Sequence, residues 1–279
     1  MSRFHQERQR FPGLLLRKED MKLSGRRRMK ISPGRLFLWI LCIIFQMTAS
    51  ALAAESEFSN NLAIAENGAN GTRERMAAIH YLAISGEERA LKPMLAILMN
   101  EKEKEGIRCG AVRGLADLGQ GRVQVISGFE QVYRKPGAGE NLRYTILFSL
   151  GRMRAEESLP LLSGALSDPN EMIRFKASQA IGYIGNDTSV TLLLTRLNEE
   201  QDRMVRAEMV RALGGSKSTE ARKALIQALL SDPSSLVRWN AALTLEKFEP
   251  LSPEARSAMA PALNDPSPMV RKTVKGILQ

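Results

Sequence analysis

The stretch DPNEMIRFKASQAIGYIG at 168–185 returns in altered form as DPSSLVRWNAALTLEKF at 232–248. In both, an Arg is followed by a small residue at +3 and an apolar residue at +7, and the first copy adds Gly at +11. Working outward, the same phrase appears as Arg75-Ala78-Leu82-Gly86, Arg108-Ala111-Leu115-Gly119, Arg143-Ile146-Leu150, Arg206-Met209-Leu213 and Arg271-Val274-Leu278. The seven arginines are separated by 33, 35, 31, 32, 32 and 33 residues. A period of this length marks a stacked array of small units rather than one globular core.

Positions +3, +7 and +10 fall on one face of a helix, so each phrase predicts a helix (helix B) with an apolar stripe. A second apolar segment (helix A) precedes each later phrase, at 91–99, 123–132, 159–166, 190–197, 221–230 and 261–263 with its upstream turn. Asp168-Pro169, Asp232-Pro233 and Asp265-Pro266 separate the two segments. Pro cannot extend the helix before it, and Asp is expected to cap the helix after it. Gly86, Gly119 and Gly185 stand where a left-handed C-cap is needed. Neither helix of a pair buries its stripe alone, so the pairs must stack. The first-turn Arg is expected to bond carbonyls or an Asp of the adjacent repeat as an internal ladder; a row of ligand-binding arginines is the alternative.

On 168–185 and 232–248 the chain resembles the HEAT-repeat superfamily, most closely the short HEAT-like repeats of phycobilin lyases. The resemblance covers roughly 58–279 and implies an all-α, right-handed α-solenoid of about seven HEAT-like helix pairs. It says little of function, because the repeat hosts many roles.

The N-terminus reads as an address. LFLWILCIIFQM at 36–47 is followed by small residues, and Ala51-x-Ala53 predicts signal-peptidase cleavage before Ala54. Eleven Lys or Arg against three acidic residues lie upstream, which keeps that side in the cytoplasm. An uncleaved membrane anchor and a buried core helix are the other readings. Met29-Lys30 begins a more ordinary signal, so either Met29 is the start or 1–28 is a cytoplasmic extension. The expected division is 1–35 as a basic segment, 36–54 as signal or anchor, and 55–279 as repeats.

The formal charge of +10 is concentrated at the N-terminus, and the residues from 54 onward carry only +2. A near-neutral array lacks the footprint of a nucleic-acid binder. Cys42 and Cys109 are the two cysteines, and Cys109 is expected to be packed. His5 and His80 are the two histidines, which leaves no multi-His metal site in the repeats. HEAT-like hydroxylases of the deoxyhypusine type use repeated His-Glu pairs; no His-Glu dipeptide occurs here, so their function is not carried over. Neither GxSxG, HExxH nor GxxxxGK[ST] is present. Gly137-Ala138-Gly139 reads as a flexible turn and 101–105 as a solvated charged loop.

The resemblance places the B helices on the concave side. On them, +1 and +5 share a face: Tyr144, Phe148, Phe175 and Trp239 fall there, flanked by Arg113 and Arg211. Such a row fits a protein-binding hot spot, or it packs against the neighbouring B helix. The expectation is therefore an exported, non-enzymatic protein-interaction scaffold of the bacterial envelope, periplasmic or anchored to the inner membrane. Its partner is another protein, with no cofactor, metal or nucleic acid, and with membrane contact only through an uncleaved N-terminus. A lyase-type chromophore-handling factor or enzyme subunit is the alternative, and a nucleic-acid-binding array comes third.

Overall fold

The computed structural model describes residues 33–248 and 250–279, with side chains from residue 41 onward. The basic segment before residue 33 and the expected start at Met29 lie outside the described residues. Fourteen α-helices and no strand are found among the described residues. They are α1 (Pro33–Glu66), α2 (Thr72–Ser85), α3 (Leu91–Met99), α4 (Glu105–Leu118), α5 (Arg122–Tyr133), α6 (Glu140–Arg152), α7 (Leu159–Ala165), α8 (Glu171–Ile184), α9 (Asp187–Leu197), α10 (Arg203–Leu213), α11 (Thr219–Ser231), α12 (Ser235–Leu245), α13 (Pro253–Met259) and α14 (Pro268–Leu278).

The chain divides into two compact units between Ala54 and Glu55. In the first, the described part of α1 exposes Leu41, Ile44, Phe45 and Leu52. Among the described residues no helix is long and apolar enough to cross a membrane.

The second unit is a solenoid of helix pairs. Every phrase forms a B helix: α2, α4, α6, α8, α10, α12 and α14. Residues 55–66 of α1, then α3, α5, α7, α9, α11 and α13, are the A helices. Each B helix packs on the next along the row. All the +3 residues of the phrase are buried, and so are all the +7 residues except Leu278, which is half-buried. With Phe58, Met94, Leu98, Phe129 and Leu142 they make one continuous apolar ribbon. Burying each Leu or Ile contributes about 1.5–3 kcal/mol.

The turns follow from single residues. Gly86, Gly119 and Gly185 end α2, α4 and α8 at φ of 67°, 73° and 66°, the predicted left-handed caps. The Asp-Pro turns differ in detail from the expectation. Asp168, Asp232 and Asp265 do not cap the B helices; each stands two residues earlier. Their carboxylates accept the N–H of the cap residues Asn170, Ser234 and Ser267 at 2.9, 2.8 and 2.7 Å. That leaves each Asp a second set of lone pairs for an arginine.

Candidate functional site

The first-turn arginines are the scaffold of the array. Arg174 donates Nε and Nη2 to Glu200 of the next repeat at 2.7 and 3.0 Å. Arg206 does the same to Asp232 at 2.9 and 3.2 Å, and Arg238 to Asp265 at 2.7 and 3.0 Å. Arg75 grips Glu103 through both Nη atoms at 2.9 and 2.7 Å. The remaining Nη1 of Arg174, Arg206 and Arg238 is taken by carbonyls of its own turn, such as those of Asp168, Gln201 and Asp232. Paired forks of this kind are rigid and strongly bound. The bonds from Arg75 hold the Glu103 carboxyl below the usual range, and those from Arg238 do the same for Asp265. These arginines are satisfied within the protein, which identifies the ladder as structural. Arg143 departs from it: its Nε is buried without a partner and its guanidinium lies 5.6 Å from the Tyr133 ring centre.

Tyr144, Phe148, Phe175 and Trp239 are all half-buried, and Arg113 and Arg211 are exposed. Tyr144, Phe175 and Trp239 pack against the core with one side. The Tyr144 hydroxyl donates to Glu140 at 3.0 Å, and the Trp239 indole donates to Thr273 of α14 at 3.2 Å. Phe148 meets Tyr183 edge-to-face at 6.0 Å, and Phe175 carries the Lys176 ammonium 5.5 Å above its ring. Arg211 is paired with Glu208. Position +1 therefore sits in the seam between neighbouring B helices, each ring presenting part of its surface.

The structure brings two groups of these residues into clefts. One, of about 570 Å³, lies across α2, α4 and α6 and is lined by Met76, Glu105, Cys109, Arg113, Tyr144 and Thr145 among others. The other, of about 500 Å³, lies between α12 and α14 beside Trp239, Leu243, Met269 and Lys272. Phe148, Phe175 and Arg211 line neither. Lys272 stands at +1 of the last phrase and shares the register of Tyr144 and Trp239, whereas Glu105 had no special signal in the sequence and its place follows from the seam geometry. Cys109 is buried, and desolvation pushes its thiol up, so it is not an activated nucleophile.

A model of HEAT repeats matches residues 126–214 and 192–277, more than half of the chain. The chain belongs to the HEAT-repeat family. Among curated proteins, the chain is 29% identical over 108 residues to deoxyhypusine hydroxylase of Candida albicans, covering 38% of this chain and 34% of the relative. It is 30% identical over 100 residues to deoxyhypusine hydroxylase of Danio rerio, covering 35% and 32%. The matched stretch spans about a third of the length of these relatives. Among solved structures, human deoxyhypusine hydroxylase in complex with glycerol is 16% identical, covering 82% of this chain and 97% of that one at a TM-score of 0.38. The CpcE–CpcF complex of phycocyanin lyase from Nostoc is 18% identical, covering 78% and 93% at 0.47.

These relatives correct three expectations. The reading as a non-enzymatic scaffold of the bacterial envelope is overturned, because the curated relatives are hydroxylases of fungi and a fish. The reading as no enzyme falls with it. Placement outside the cytoplasm, periplasmic or anchored, rested on residues 1–54 alone and is overturned by the same eukaryotic relatives. The cause is the same throughout. Those expectations were drawn from the N-terminal address and the absent His-Glu pairs, whereas the likeness to the curated relatives covers about a third of the chain.

The absence of those pairs still bears on chemistry. Among the described residues no group of three or more His, Cys, Asp or Glu could hold a metal ion, and His80 is exposed. The donor set does not fit a metal centre, so no catalytic step is assigned through one.

Proposed function

We propose that this HEAT array is the polypeptide-binding part of an enzyme related to the deoxyhypusine hydroxylases, receiving a segment of its protein substrate along the row of B helices. The observation that carries the proposal is the cleft across α2, α4 and α6. It joins a half-exposed aromatic ring, Tyr144, to an exposed cation, Arg113, and a carboxylate, Glu105. Tyr and Arg are among the residues that dominate protein recognition. Trp239 supplies a second anchor further along the same row. Burial and the bond to Glu140 push the Tyr144 phenol up, so it stays neutral and able to donate at physiological pH.

The test is fluorescence anisotropy of a labelled polypeptide bearing deoxyhypusine, titrated with the full chain. Y144A and W239A are each expected to weaken binding about ten-fold, the equivalent of about 1.4 kcal/mol, with helical content unchanged by circular dichroism. Equal affinity for both variants and the parent chain contradicts the reading.

A further inference from the structure

The ladder has a gap at Arg108. Arg108 is only 6% exposed, and its Nε donates to the Leu98 carbonyl at 2.9 Å, just as Arg75 donates Nε to Ala65. Its two Nη atoms carry no hydrogen bond and no ion pair among the described residues. The cause lies in the next turn. In Asp168-Pro169, Asp232-Pro233 and Asp265-Pro266 the residue before Pro is an Asp, and the last two receive an arginine fork. In the corresponding turn the residue before Pro136 is Lys135. Lys135 follows Arg108 by 27 residues, the same separation as between Arg238 and Asp265. A cation thus stands where the carboxylate belongs.

The unfilled place is a pocket of about 400 Å³ lined by Arg108, Lys135, Glu101, Pro136, Gly137 and Ala138. Glu101 does not fill the gap. Its carboxylate is exposed and bonded to Lys135, although it also feels the charge of Arg108. A nearly buried guanidinium with free Nη donors, beside a second cation, is built for an anion with two oxygens.

We propose that Arg108 and Lys135 form a carboxylate-binding site, taking from outside the chain the group that other repeats supply from within. The ligand class is a free small carboxylate or an acidic side chain of a bound polypeptide; the chemistry is shared.

The experiment is isothermal titration of the full chain with N-acetyl-aspartate and, separately, with a hexa-aspartate peptide, in the parent, R108K and K135D. Binding by the parent is expected with both probes. A peptide bound at least ten-fold tighter than the free probe assigns the site to a polypeptide, and comparable affinities assign it to a small carboxylate. R108K keeps the charge but loses the fork, and is expected to weaken binding at least ten-fold. K135D places the missing carboxylate in cis, so it is expected to abolish binding and to raise the melting temperature. The pairing of a higher melting temperature with lost binding separates a filled site from a misfolded one. Absence of binding in the parent overturns the proposal, as does binding unchanged in K135D or a K135D chain no more stable than the parent.

Discussion

E200A is expected to destabilise the array by about 3–5 kcal/mol, the cost of leaving a buried charge without its partner. Glu200 is 5% exposed and holds the Arg174 fork while accepting the N–H of Asp202 at 2.9 Å. Its removal strands a guanidinium in the seam between two repeats and frees the turn that starts α10. Because each repeat leans mainly on its neighbours, the loss should appear as early melting of the α8–α10 region before the ends. Urea unfolding followed by circular dichroism measures the total. The same pair sets a pH dependence. Burial alone would push Glu200 up, but the bonds and charge of Arg174 and the Asp202 N–H outweigh it and hold the carboxyl low. A carboxylate depressed in the folded state stabilises above its unfolded value, about 4.3, and loses that contribution as pH falls through the lower folded value. Stability should therefore be flat from about pH 5 to 7 and fall below about pH 4, with a shallower fall in E200A. A chain that loses less than about 1 kcal/mol on E200A would show that this rung behaves as a surface ion pair.

G182V is expected to cost about 3 kcal/mol, the upper end of ordinary overpacking. A Cβ at Gly182 would lie 2.7 Å from Cα and 2.6 Å from Cβ of Ala212, so α8 and α10 could no longer approach. Gly151 repeats the arrangement one step earlier, where a Cβ would meet the Ala180 Cα at 2.6 Å. Neighbouring B helices are thus held close by a small residue on each side of the seam. Gly164 on α7 is the control: nothing lies within 4 Å of its Cβ position. G164A should leave stability unchanged or raise it by about 0.5–1 kcal/mol, through helix propensity alone. Denaturation midpoints of the two variants settle the matter, and equal costs for both would mean that the seam is not close-packed.

The solenoid was legible because a 31–35-residue period, helical spacing and Asp-Pro turns all point to one packing. The ladder was legible as a role for the arginines, but its acceptors were only partly so. Glu103 and Glu200 serve where no Asp-Pro turn marks them. The gap at Arg108 can be read from Lys135-Pro136 only once the Asp before Pro is known to be a fork acceptor. The aromatic row was visible, while its half-burial was not, because +1 lies in the seam and its exposure depends on the residue across it. Ala207 and Cys109 at the same position are buried, whereas Tyr144 and Trp239 are too large to be covered. The likeness to the hydroxylases escaped the reading because no His-Glu pair marks it in the sequence.

The most direct test of the proposed binding face is hydrogen–deuterium exchange of the full chain with and without a polypeptide bearing deoxyhypusine. Slowed exchange in α4 and α6 around Glu105–Tyr144, and in α12 and α14 around Trp239–Ile277, is the predicted result. Protection confined to the A helices α3, α5, α7, α9 and α11, or no protection at all, would contradict it.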